Sequence, residues 1–444
     1  MARYLLAASA LPGHVDPIVA IARGLVTLGH GVMVHTGQLF AAQVERAGAE
    51  FAPIDPAIDV DYRALDTLFP ERAALPPGPA QMLWGVRHLF ADAIESQHAS
   101  LQRLIATFKP DIILTEMMFM GTLPMLLKPR ADRPPIMHLG PSVLTLASPE
   151  TGFFGMALPA ARTFAQRLRN RAVIAAMENQ LFAPLQNYIN ATLDRMGAPT
   201  LPCFAAEAVM RLPDRYLQIG VPSMEYARSN LPPNLRFIGA LPPTGTITSQ
   251  PDWWDEIRVA RQAGRRIVLV TQGTIANDDP MQLCGPTINA LAGPDALVIA
   301  ITGSDPAAFQ PHIPAATLQA VLIKSFIPYA QIMPELDLLI TNGGFGGVTL
   351  ALRHGVPMII AGDSEEKPEI GARIAHIGAG INLATAHPTA AMIGAAAAMI
   401  AEQPSFRRVA RSIADDLVAV DTIGEIEAAR LELTQQTGSV PRAA

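Results

Sequence analysis

The sequence predicts an α/β protein of two domains, each a parallel sheet covered by helices, with a cleft where the carboxyl ends of the two sheets face each other. Three observations predict it. The chain has 444 residues, more than one hydrophobic core usually serves before a chain divides into domains. Its first half alternates short β-like runs with helical segments, the pattern of parallel strands joined by crossover helices. The same alternation starts afresh after residues 231–246, LPPNLRFIGALPPTGT, where prolines and glycines bracket one short strand.

In the first half, residues 3–9 read as a strand, 17–28 as a helix, 32–36 as a strand and 39–47 as a helix. Further strands are expected at 111–116, 135–139 and 216–219, and helices at 95–108 and 173–196. The proline-rich pieces 75–79 and 199–202 read as loops. In the second half, strands are expected at 266–272, 296–302, 321–327, 337–341 and 356–361, with a small-residue helix at 390–401 packed in a core. This gives a first domain over 1–230, a linker over 231–252 and a second domain over 253–444, whose last helix is free to return to the first. The opening MARYLLAASALPGHV imitates a signal peptide, yet it runs straight into a glycine turn and an amphipathic segment and so reads as the start of a βαβ unit. No stretch approaches the ~18 uninterrupted apolar residues of a membrane span.

Hydrophobic residues make up 50% and charged residues 16% of the chain, enough apolar material for two cores. A formal net charge of −6 excludes a nucleic-acid partner, which needs a basic face to displace counterions. Cys203 and Cys284 fall in different domains with no metal-ligand spacing, which suits a reduced, cytoplasmic protein.

The most informative segment is Thr341-Asn342-Gly343-Gly344-Phe345-Gly346-Gly347, set between an apolar strand and the helical run 348–354. Glycines there let a ligand approach the backbone, and the helix start offers unpaired N–H groups to an anion such as a diphosphate. A plain tight turn accounts for the same glycines. Gly273-Thr274 is a second strand-end turn, with a hydroxyl. At the other end, PGHVDP places His14 on the loop after the first strand, where an imidazole suits the role of general base. A capping or core histidine is the competing reading. Glu116 ends the strand DIILTE on the same sheet, where a carboxylate can orient that imidazole, or else lie solvated. No Asp-x-Asp, His-x-x-x-His or cysteine cluster offers a metal site, and neither a G-x-x-x-x-G-K-S/T loop nor a G-x-G-x-x-G after the first strand occurs.

Over nearly its whole length the chain resembles the inverting, metal-independent glycosyltransferases of the GT-B fold, the bacterial natural-product and plant-type UDP-glycosyltransferase family. The resemblance is carried by PGHVDPIVAIARGLVTLGHGVMVHT, by LPPNLRFIGALPP, by LVTQGT, and by FIPYAQIMPELDLLITNGGFGGVTLALRHGVPMIIAGDSEEKPEIGARIAHIGAGINL. It implies transfer of a hexose from a UDP- or dTDP-sugar to a hydroxyl of a small hydrophobic acceptor, with no cofactor and no metal, by a monomer or homodimer. His14 would be the base and Glu116 would stand for the usual aspartate partner. Phe326 would stack on the nucleotide base, with backbone at Ile327 meeting the base edge. Gly273, Thr274, Gly344, Gly346 and Gly347 would surround the diphosphate, and Glu366 and Lys367 would read the sugar. Asn342 stands where the family has a histidine, Lys367 where it has glutamine, and Leu350 where plant members have a ribose-binding glutamate. These departures leave two alternatives: a catalytically silent glycosyltransferase-like partner, and a sugar-nucleotide epimerase of the same fold.

Overall fold

The computed structural model describes residues 1–75, 79–242, 253–273, 279–303 and 305–438. Thr274, Asp278 and residues 243–252 of the linker segment lie outside them. Seven strands form the first sheet: β1 (Arg3–Ala7), β2 (Gly31–Thr36), β3 (Glu50–Pro53), β4 (Ile112–Glu116), β5 (Ile136–Gly140), β6 (Arg215–Gln218) and β7 (Leu235–Phe237). Their order is β3-β2-β1-β4-β5-β6-β7. The second sheet holds β8 (Arg266–Thr271), β9 (Ala296–Ile301), β10 (Val321–Lys324), β11 (Leu338–Thr341), β12 (Met358–Ile360) and β13 (Gly380–Asn382), in the order β10-β9-β8-β11-β12-β13. Every pairing is parallel. Parallel strands are covered on both faces, which is why they are written as continuous apolar runs. Strands β4, β5 and β9 are buried at every position.

In both sheets the strand order reverses beside the first strand of its domain, between β1 and β4 and between β8 and β11. Ligands of doubly wound folds bind outside the carboxyl ends of the strands at such switch points. His14 follows β1 and Glu116 ends β4, while Gly273 follows β8 and Asn342 follows β11. Topology alone brings each of these pairs to one crevice.

The local structure departs from the sequence expectations at four places. The first helix is Pro12–Thr27, not 17–28, so His14 lies in its first turn and not on a loop. Proline is favoured at the first helical position because the missing N–H has no partner to lose there. Residues 173–196 do not form one helix: Phe164–Ala176 and Ala183–Arg195 flank a π turn at Met177–Leu181. The second helix carries Pro184 in its first turn, where a missing N–H costs no interior hydrogen bond. The first starts at a reciprocal cap, Thr163 with Gln166. The glycine-turn helix is Phe345–Arg353, beginning three residues before 348 and inside the glycine run. Finally, the short edge strands β3 and β13 were not expected, and β7, within the linker segment, pairs with β6 and so extends the first sheet.

The Ala390–Glu402 helix buries one face, through Ile393, Ala396 and Ala397, and leaves Met392 and Met399 exposed. The last helix, Thr422–Gly438, lies against the first domain: Glu427 accepts a hydrogen bond from the Tyr4 hydroxyl, and Glu432 pairs with Arg215 at 2.9 Å and Arg236 at 2.7 Å.

Candidate active site

At the first switch point, His14 Nδ1 lies 2.8 Å from Glu116 Oε2. A carboxylate only accepts, so Nδ1 carries the proton and donates it, leaving Nε2 as the basic nitrogen. Glu116 is not the solvated strand end that its position allows. It is fully buried, and each of its oxygens has two donors: Ser9 N at 3.2 Å and Ser9 Oγ at 2.9 Å for Oε1, His14 and Met118 N at 2.7 Å for Oε2. A carboxylate with its lone pairs engaged this way is locked in orientation.

The electrostatics follow from that geometry. Burial pushes the His14 pKa down, but the charge and hydrogen bond of Glu116, with a smaller pull from Glu366, outweigh it and hold the imidazole above its ordinary 6.5. Burial likewise raises Glu116, and the imidazole together with the Met118 and Ser9 amides overcomes this and holds it below the usual carboxylate range. The two directions agree: the site is built to carry imidazolium beside carboxylate, the state a general base reaches after taking a proton. Ser9 was not expected from the sequence. Its only signal is a small hydroxyl two residues beyond β1.

Beside His14, the Phe90 ring lies 5.4 Å away, centroid to centroid. Phe90 belongs to a π turn, Val86–Ala91, and to an apolar cluster with Met120, Leu144, Phe153 and Phe182. π turns interrupt helices most often at functional sites.

The second switch point is made differently. The Gly343 N–H donates to Thr341 Oγ1 at 3.2 Å, with φ at +101°, and a Cβ there would lie 2.9 Å from Ile360. The Phe345, Gly346 and Gly347 amides occupy the first turn of their helix, where N–H groups have no intrahelical partner. A Cβ on Gly344 or Gly346 would meet nothing within 4 Å, so space lies open beside these amides. Gly273 has φ at +77° and packs on Asn342. The Asn342 Nδ2 donates to the Gln272 carbonyl, and its Oδ1 is buried with no partner among the described residues. Its donor is therefore turned to Gln272 and not into the turn. Thr274 lies outside the described residues.

Phe326 follows β10 and is 73% exposed, whereas Ile327 is fully buried, backbone included. Glu366 precedes the Lys367–Ile377 helix and is close enough to His14 to act on its charge from the opposite domain. Burial, then the neighbouring Glu365, lifts the Glu366 pKa above the usual range against Lys367 and His14. Lys367 is buried, and its ammonium is paired with Glu365 and lies 3.2 Å from Ser364 Oγ. The cation that this residue introduces is thus neutralised within its own loop.

Two parallel α/β domains with their switch points turned toward a common cleft define the GT-B architecture. Solved structures agree: the calicheamicin glycosyltransferase CalG4 superposes with a TM-score of 0.70 at 20% identity over 99% of each chain. The glycosyltransferase VinC, solved in complex with dTDP, does so at 0.67 and 18% identity, covering 98% of this chain and all of its own. Residues 287–433 match the model of the erythromycin biosynthesis protein CIII-like C-terminal domain. Over the whole chain, 4'-demethylrebeccamycin synthase of Lentzea aerocolonigenes is 35% identical, covering 95% of this chain and 97% of its own. UDP-glycosyltransferase 2 of Phaeomoniella chlamydospora is 33% identical over 95% and 93%. The chain belongs to the UDP-glycosyltransferase family, among its natural-product members, and is a glycosyltransferase.

Proposed function

We propose that the protein transfers a hexose from a UDP- or dTDP-sugar to a hydroxyl of a small hydrophobic acceptor, with inversion and without a metal ion. The observation that carries this reading is the His14–Glu116 pair, with Nδ1 anchored at 2.8 Å and Nε2 left basic at the cleft. The acceptor hydroxyl gives its proton to Nε2 as its oxygen attacks the anomeric carbon, and the bond to the diphosphate breaks on the far side. A single in-line displacement inverts the anomeric centre. Glu116 stabilises the imidazolium that results. Charge growing on the departing diphosphate is met by the first-turn amides at Gly346 and Gly347. Among the described residues no three His, Cys, Asp or Glu side chains gather to hold a metal. Phe326 offers a face to the base, and Glu366 lies where a sugar between the domains would pass. The apolar residues around Phe90 suit a hydrophobic acceptor.

The donor names of relatives support the same class: UDP-glycosyltransferase 2 among the sequence relatives, and a dTDP complex among the structural ones. No described helix is long and apolar enough to cross a membrane. Incubation of the protein with UDP- and dTDP-sugars and a panel of phenolic and macrolide acceptors, in excess chelator, tests the proposal by mass spectrometry. Glycosylated product with inverted anomeric configuration by NMR is expected. Activity that disappears in chelator and returns with magnesium or manganese overturns the metal-free assignment.

A further inference from the structure

Beyond the catalytic pair, a second buried charge network joins the two domains. The Arg373 guanidinium, on the Lys367–Ile377 helix of the second domain, donates from Nε to Glu225 Oε2 at 2.9 Å and from Nη1 to Glu369 Oε2 at 2.8 Å. Its Nη2 donates to the Leu144 carbonyl at 2.9 Å. Glu225 of the first domain also accepts from Arg228 at 2.9 Å and from the Leu144 N–H at 2.8 Å. The other Glu369 oxygen accepts from the N–H groups of Gly155 and Ala157, at 2.8 and 2.7 Å. Both carboxylates, Arg228 and Arg373 are buried. Burial alone would raise Glu225, but Arg373 and Arg228 hold it below the usual range.

Besides Glu225, these hydrogen bonds meet the first domain at Leu144 and at Gly155 and Ala157, all on the segment between β5 and the Phe164–Ala176 helix. Between them lies Phe153, in the apolar cluster that reaches His14 through Phe90. The loop is not relaxed. Ala157 has φ at +47°, a left-handed conformation that an L side chain rarely adopts unless its surroundings enforce it. Here the enforcing group is a carboxylate of the opposite domain. The same helix is preceded by Glu366, which acts on the charge of His14. One rigid element of the donor-side domain thus sets the acceptor-side loop and faces the base.

We infer that Glu369 is a positioning residue for acceptor selection: from the second domain it holds the 144–157 loop in the strained shape that completes the acceptor pocket. The inference rests on the placement of the acceptor beside His14 proposed above. Glu369→Gln keeps the shape of the side chain but halves its accepting capacity and turns an amide toward Arg373. It should raise the acceptor KM roughly 10- to 100-fold, the order expected for weakened charge-assisted hydrogen bonds. The change in kcat should be smaller, UDP or dTDP affinity should stay within about twofold, and amide exchange should quicken within 144–157. Ala157→Gly adopts the left-handed conformation unaided, so adding it to Glu369→Gln should restore most of the acceptor KM. If Glu369→Gln does not fold, Glu369→Asp, which keeps the charge and withdraws it by one methylene, should give the same shift in KM. An unchanged acceptor KM in the folded variant, a parallel loss of nucleotide affinity, or failure of Ala157→Gly to rescue overturns the inference. None of these results bears on the catalytic pair, which stands or falls with His14→Ala.

Discussion

The two switch points face one cleft but are built on opposite plans. Between β1 and β4 the working groups are side chains, and every polar atom of Glu116 is engaged by a group that fixes it. Between β8 and β11 the working groups are backbone amides and open space: glycines without Cβ atoms, a first helical turn with unpaired N–H groups, and one side chain, Asn342, turned toward Gln272. On the proposed mechanism the difference follows from what each site must do. A base must present one nitrogen in one tautomer, which needs a rigid polar shell. A diphosphate is larger and charged all round, and several amides aimed inward serve it better than a single side chain.

The largest expected effect breaks the first plan. His14→Ala should lower turnover by about 10²- to 10⁴-fold while nucleotide affinity stays within about twofold, since a general base acts on the reaction and not on donor binding. Undiminished transfer by a donor-competent His14→Ala protein would sink the mechanism. The pH profile sharpens the point. A base works unprotonated, so activity should fall as pH drops through the His14 pKa, which lies above 6.5 because of Glu116. Glu116→Gln removes the raising charge, so the acid limb should move to lower pH even as turnover falls. An acid limb that stays in place would mean that another group governs it.

Phe326→Ala probes the second site at its exposed aromatic rim. Stacking of a base on an aromatic ring contributes about 1–3 kcal/mol, which is roughly a 10- to 100-fold loss of nucleotide affinity. Calorimetry with UDP and dTDP reads this directly, and turnover at saturating donor should be nearly unchanged. Unaltered binding would move the base elsewhere.

The same contrast decides how much was legible in the sequence. The central strands were readable because burial on both faces writes them as apolar runs, unlike the part-exposed edge strands β3 and β13, and the order of the motifs fixed which strand ends carry which residues. His14 and Glu116 were readable as residue types with an obvious joint chemistry. Ser9 was not, because a serine beyond a strand has many uses and only the fold brings it under a carboxylate more than a hundred residues away. The glycine run marked the strand-to-helix turn but not where the helix starts: it begins at Phe345 because Gly344 supplies the extended cap, a backbone choice that glycines leave open. The resemblance gave Lys367 to the sugar; its pairing with Glu365, two residues away with φ at +54°, rests on a turn that sequence pattern does not show. The inter-domain network was silent for the same reason, since Glu225, Glu369 and Arg373 acquire meaning only when two domains meet.

The smallest expected effect tests whether the second site truly works through its backbone. The family resemblance implies a histidine contacting the diphosphate at the position of Asn342, so a side-chain role predicts a large loss of affinity on truncation. The geometry predicts otherwise. Its Nδ2 is spent on the Gln272 carbonyl, the strand end that precedes Gly273, so Asn342→Ala removes a support of the loop and not a ligand contact. Leaving that carbonyl unsatisfied should cost about 1–3 kcal/mol of stability, read by thermal or denaturant unfolding. Affinity for UDP or dTDP should fall by no more than about threefold, because losing one neutral hydrogen bond outside the ligand shell leaves the first-turn amides in place. The opposite pattern, unchanged stability with affinity lost by about 100-fold, would show the amide swinging onto the diphosphate. The two switch points would then share one plan, side chains doing the work in both.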